Sequence, residues 1–259
     1  MQRSLVGSEM CIRDRFRDAS TDELSRLWAE FGEQFVFNEL RVCFRAGGYS
    51  LMQRLCDKQT KWDESGIAGL IPDTLIQGLT GHPFGSPDMI GGGEYTCFLN
   101  GNENACTPEM FVRYAQIAAL MPVMQFSASP WRVLPEADFQ KVKDALALRE
   151  KCLPEILKAV ECAKVTGEPI VRSMEFVFPG QGMERVMDQF MVGEDLLVAP
   201  VWKQGEVARS VRLPEGQWRC VGLGETEGDV LNGGRDVILG ENEGCLLYTS
   251  PSPRDYAAS

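Results

Sequence analysis

At Gly167 the sequence changes texture, and that change divides the chain into two unlike halves. Before it, short apolar runs alternate with stretches whose apolar residues recur at helical spacing. After it, Gly and Pro punctuate short runs such as Pro169–Phe178, Asp195–Trp202 and Ala208–Leu213, which read as strands of a β domain. Alternating strands and helices suit a parallel sheet, because parallel neighbours need a crossover long enough to hold a helix. The expected fold is therefore α/β: the second half of a (β/α)8 TIM barrel over residues 16–167, then a β-sandwich over 168–244.

Local signals support the first half. Ser20-Thr21-Asp22-Glu23 is a capping box, and Leu24, Leu27, Trp28 and Phe31 follow at helical spacing. Glu39–Phe44 reads as a strand closed by Gly47-Gly48, and Ser50–Leu55 as another. Ile67–Leu79 reads as a helix. Thr107-Pro108 is a helix start that carries Phe111, Tyr114 and Ala118 inward and stops near Pro122. Glu136–Val165 is helical, interrupted or bent at Pro154 and ended by Gly167.

The two ends are of another kind. One back-translation of Cys245–Asp255 (CLLYTSPSPRD), read on its complementary strand, encodes Leu5–Asp14 (LVGSEMCIRD). Folding gives no reason for antisense segments at opposite ends of a chain. They look like a translated sequencing adaptor in inverted orientation, so residues 1–15 and 245–259 are expected to be non-native and to pack little against the rest. The native stretch is then about Phe16–Gly244, interrupted on both sides, and the true amino terminus, with any targeting signal, is missing.

Composition narrows the chemistry. A formal charge of −11 provides no basic surface for phosphates, which argues against a nucleic-acid partner. No apolar run is long enough for a membrane segment. His82 is the single histidine, so a His-rich metal site or a Ser-His-Asp triad would rest on one ring. The nine cysteines, seven without Cys11 and Cys245, show no Cys-x-x-Cys spacing. No metal or cofactor is expected, and any catalytic groups should be carboxylates.

Four blocks resemble glycoside hydrolase family 31: RVCFRAGGYSLMQRLCDKQTKW (Arg41–Trp62), GHPFGSPDMIGGG (Gly81–Gly93), RYAQIAALMPVMQFSASPW (Arg113–Trp131) and DQFMVGEDLLVAPVWKQGEVARSVRLPEGQW (Asp188–Trp218). The last, similar to the family's proximal β-sandwich, is the longest and most specific. The resemblance implies a retaining exo-α-glycosidase of α-galactoside or α-glucoside type acting on a carbohydrate substrate. It places the acid/base at Asp57 and substrate contacts at Arg41, Arg54, Trp62, Asp88, Ser127 and Trp131. It also puts the nucleophile upstream of Arg41, where neither Asp18 nor Asp22 fits, so the chain alone is expected to be inactive.

The chain departs from the family's commonest pattern at several positions. Cys56 stands where Gly usually precedes the acid/base, Arg54 where an active-site Trp is usual, Ser127 in place of a sugar-binding His, and Ser173 in place of a Pro. These changes resemble a divergent branch that includes an animal glycosidase. Plainer readings stand beside each role: Asp57 as a turn carboxylate paired with Lys58 or Arg54, Arg41 in a barrel salt bridge, Asp88 as a turn cap, and the tryptophans as core. Two other functions are carried: a catalytically silent relative that binds carbohydrate or acts as a scaffold, and an inverting hydrolase, whose second carboxylate would stand about 6.5–9.5 Å from Asp57. Oligomeric state and compartment are not legible.

Overall fold

In the computed structural model, described residues are 19–41, 44–93, 95–98, 105–221, 228–240 and 246–249. Leu5–Asp14, Val42, Cys43, Cys245 and 250–259, on which several expectations fell, lie outside them.

The first half holds a three-stranded parallel sheet, β1 (Glu39–Leu40), β2 (Met52–Arg54) and β3 (Gly85–Ser86), in that order. Leu40 pairs with Gln53, and Gln53 with Gly85. Among the described residues no closed barrel is evident: the strands form a short open sheet, extended by an isolated parallel bridge between Ile90 and Phe126, and closure of a barrel takes about eight tilted strands.

Helix α1 (Thr21–Gly32) opens on the expected capping box, with Ser20 and Glu23 capping each other reciprocally. Its apolar stripe does not go inward: Leu27, Trp28 and Phe31 are about half exposed, while Ser25, Ala29 and Gly32 are buried. Residues Ile67–Gly69 form a 3-10 turn that leads into α2 (Leu70–Leu79). Helix α3 (Pro108–Ala118) starts on the Thr107 cap and buries Phe111, Tyr114 and Ala118 as expected. After a single turn, α4 (Pro130–Val133), the long helical stretch is two helices, α5 (Glu136–Lys151) and α6 (Leu153–Thr166). The break falls at Cys152, and Pro154 sits in the first turn of α6, where a missing N–H costs no hydrogen bond. Gly167 ends α6 in the left-handed conformation, with φ 74°.

Beyond Gly167 two antiparallel sheets pack face to face. One is β4 (Val171–Arg172), β5 (Phe190–Val192), β6 (Leu196–Ala199), β8 (Gln217–Cys220) and β9 (Val230–Asn232), with β11 (Leu246–Thr249) between β6 and β8. The other pairs β7 (Ala208–Leu213) with β10 (Arg235–Gly240). Alternation along β7 and β8 turns Val211, Leu213, Trp218 and Cys220 inward onto Met174, Met191 and Leu197. Trp218 is fully buried, and its indole N–H donates to Pro214 O at 2.9 Å. The strand expected over Pro169–Phe178 is shorter than that. Only Val171–Arg172 pairs, and Ser173 caps a turn of helix, α7 (Met174–Val177).

The expectation that the tail from Cys245 packs little is overturned for Leu246–Thr249. Their backbone pairs antiparallel with β6 along four residues and with β8 along two. Without them β6 and β8 would each present an unpaired edge, which draws in any segment of suitable backbone.

The halves are joined by direct bonds. Glu109 of α3 accepts from the Gly205 N–H at 2.6 Å, and Arg113 donates to Glu206 O at 2.8 Å.

Candidate active site

Because β1, β2 and β3 run parallel, the residues that follow each strand emerge on one side of the sheet. Arg41 follows β1, Arg54 ends β2 with Asp57 three residues on, and Asp88 lies two residues past β3. These four meet. Asp57 Oδ1 forms an ion pair with Arg41 Nη2 at 3.0 Å and accepts from Arg54 Nη1 at 3.2 Å. The same Arg54 Nη1 contacts Asp88 Oδ1, and its Nε donates to Glu39 Oε1 at 2.7 Å.

Exposure separates the roles these groups can play. The side chains of Asp57 and Arg41 are 49% and 44% exposed, so both can be reached from solvent. Arg54 is 9% exposed and Asp88 fully buried. Asp88 has both oxygens engaged, one by Arg54 and the other by the Lys58 N–H at 2.8 Å. Burial raises its pKa, against the pull of the Lys58 and Met89 N–H groups and of Arg54. For Arg54, burial opposes the charge, but Asp88 and Glu39 outweigh it and hold the guanidinium above its ordinary value. Asp88 also sits at φ 78°, a left-handed conformation that Asp tolerates better than most residues.

The triglycine Gly91-Gly92-Gly93 lies close against the Asp57 loop. A Cβ at Gly92 would lie 2.8 Å from Lys58 O, and one at Gly93 2.5 Å from Cβ and Cγ of Asp57. Glycine is required here for close approach. Tyr114, buried in α3, donates to Pro87 O at 2.9 Å and so ties down the residue before Asp88. Burial holds that phenol well above its ordinary pKa. Lys58, nearly fully buried, turns away to Asp73.

The other expected residues are placed by different contacts. Ser127 donates to Ile90 O at 2.6 Å, which uses its one hydroxyl proton to secure the Ile90–Phe126 bridge. Trp62 is half-buried against the main core. Trp131 is 67% exposed on α4 and meets Phe139 edge-on, with ring centroids 6.5 Å apart. Glu39, Tyr114, Gly93 and the Lys58 N–H complete the cluster, although none of them was among the expected site residues. Among the described residues no group of His, Cys, Asp and Glu is arranged to hold a metal ion. No described helix is long and apolar enough to cross a membrane.

The profile of the glycosyl hydrolase family 31 C-terminal domain matches residues 167–237. Myogenesis-regulating glycosidase of Mus musculus is 36% identical over 200 residues, covering 75% of this chain and 28% of that protein. An α-glucosidase of Saccharolobus solfataricus is 29% identical over 218 residues, covering 80% of this chain and 30% of that one. The chain thus spans less than a third of either relative. A family 31 sulfoquinovosidase from E. rectale, solved with an aza-sugar inhibitor, superposes with a TM-score of 0.76 at 19% identity, over 92% of this chain and 37% of that one. That superposition shows a shared fold; by profile and by sequence, the chain belongs to glycoside hydrolase family 31.

Proposed function

We propose that this chain supplies the acid/base side of a retaining exo-α-glycosidase, with Asp57 as the proton donor. The observation that carries the reading is the placement of Asp57: a half-exposed carboxylate beyond the carboxyl ends of parallel strands, between two guanidiniums and above a buried carboxylate. On this reading β1, β2 and β3 are three strands of a (β/α)8 barrel whose other strands and nucleophile come from sequence before Glu39. Asp57 would protonate the leaving glycosidic oxygen while the nucleophile attacks the anomeric carbon. It would then take the proton of the water that hydrolyses the glycosyl intermediate. Both guanidiniums contact Oδ1, so on this reading Oδ2 carries the proton to the glycosidic oxygen.

Asp88 is a poor candidate for the second carboxylate, although it reaches Asp57 through a single nitrogen and a retaining pair stands about 5–5.5 Å apart. It is fully buried with both oxygens engaged, so no anomeric carbon can approach it. Arg41, exposed and beside the acid, is suited to sugar hydroxyls through its planar fork. The exposed ring of Trp131 and the partly buried ring of Trp62 offer faces on which a pyranose can stack. The substrate class is an α-glucoside or α-galactoside.

The test uses the protein encoded by the uninterrupted gene. Asp57→Ala should abolish hydrolysis of α-glycosides with poor leaving groups, spare those with activated aryl groups, and yield an α-glycosyl azide when azide is added. Equal loss on both leaving-group classes without azide rescue would remove Asp57 from this role. A silent relative would show no turnover even before mutation. Hydrolysis of aryl α-glycosides above a blank by the 259-residue chain alone would contradict an external nucleophile.

A further inference from the structure

Arg54 stands beside the candidate acid, and its Nε and Nη1 donors go to carboxylates of the protein. From the end of β2 it reaches a carboxylate on β1, Glu39, a carboxylate after β3, Asp88, and Asp57 itself. A guanidinium has five N–H donors in a rigid fork. Its Nε is used by Glu39 and its Nη1 by the two aspartates, and only 9% of the side chain is exposed. Asp88 then grips the same loop a second time through the Lys58 N–H, the peptide directly after Asp57. The acid is thus restrained on both sides, by Arg54 through its carboxylate and by Asp88 through the following peptide.

We infer that Arg54 is a positioning residue: a cross-strand bolt joining β1, β2 and β3 that fixes where Asp57 stands, without itself holding substrate. The aim of Asp57 depends on this bolt, and the catalytic half of the inference rests on the acid/base reading above. Lysine at this position keeps the charge but offers a point donor on a flexible stem, which cannot hold three carboxylates in a fork. Arg54→Lys should therefore loosen the Asp57–Lys58 loop while sparing the fold.

Two measurements test the inference, and they fail separately from the acid/base reading. In the chain itself, amide hydrogen exchange at Lys58 should speed up at least tenfold in Arg54→Lys, with a cooperative melt retained. Unchanged exchange would overturn the inference whether or not the protein is a glycosidase. In the protein encoded by the uninterrupted gene, with 4-nitrophenyl α-glucoside and α-galactoside as probes, kcat should fall about ten- to a hundredfold, as expected for a misaimed group. KM should stay within twofold. A tenfold rise in KM would make Arg54 a substrate ligand, and an unchanged kcat would show that it positions nothing; either overturns the inference. Should Arg54→Lys not fold, Arg54→Gln combined with Asp88→Asn, which removes the buried charge pair together, replaces it in both measurements with the same expected and overturning results.

Discussion

Gly93 and Asp57 meet across the mouth of the parallel sheet so closely that a methyl group on Gly93 would stand 2.5 Å from the aspartate's Cβ and Cγ. The glycine is the wall against which the carboxylate rests. Gly93→Ala should push Asp57 out of line with Arg41 and Arg54 and displace its backbone as well, because the clash includes Cβ, which side-chain rotation cannot move. In the uninterrupted protein the expected outcome is a loss of kcat of about a hundredfold together with a lowered melting temperature. Unchanged turnover would show that the contact carries no catalytic weight.

Arg54 and Asp88 form a pair in which one partner is fully buried and the other nearly so. Removing one partner of a buried pair leaves an uncompensated charge, at a cost of about 3–5 kcal/mol. Asp88→Leu should lose that much in urea unfolding. Asp88→Asn should lose less, because it keeps an acceptor for the Lys58 N–H and tolerates a left-handed backbone at φ 78°. Equal stabilities for the two variants would contradict the account of the pair.

His82 is the chain's only histidine, and burial lowers its pKa. The unfolded state therefore takes up the proton first, from about pH 6.5 downward. Stability from a neutral His82 is complete above that value and is lost as pH falls toward the depressed folded value. Between pH 8 and pH 5 the parent should lose stability relative to His82→Gln, other titrations cancelling in the difference. Parallel melting curves for the two proteins across that range would refute this.

How much of this was legible in sequence follows from the range of each interaction. Caps and turns are local, so the Ser20–Glu23 box, the Thr107-Pro108 start and the Gly167 stop could be read residue by residue. The break at Cys152 was misplaced by two residues, because a proline marks the first turn of the next helix as readily as a kink. The stripe of α1 is legible as apolar, but that it stays about half exposed is not, since helical spacing says that a face exists and nothing of what meets it. In the site, Arg41, Arg54, Asp57 and Asp88 were singled out because they lie in recognisable blocks. Glu39 was missed because its role depends on parallel register with β2, which opposes it to Met52 and places its carboxylate beside Arg54. Strand pairing across a crossover leaves no mark in either strand.

The six-stranded sheet makes one further prediction. Its β6 and β8 are each hydrogen-bonded to the backbone of Leu246–Thr249, which lies between them. Replacing those four residues by Val-Thr-Val-Thr should leave the melt cooperative, whereas replacing them by Gly-Pro-Gly-Pro should split the β6 and β8 portions and promote association through exposed edges. Identical melts for the two replacements would mean that the inserted strand contributes nothing to the sheet.

That slot has a practical meaning of its own. Main-chain donors and acceptors recur in every sequence, so a berth between β6 and β8 that is filled by backbone pairing is open to grafting. A chain shortened to Gly240 becomes a receptor for strand-shaped peptides, and a labelled peptide of that kind would convert the gap into a reporter of how the sandwich closes.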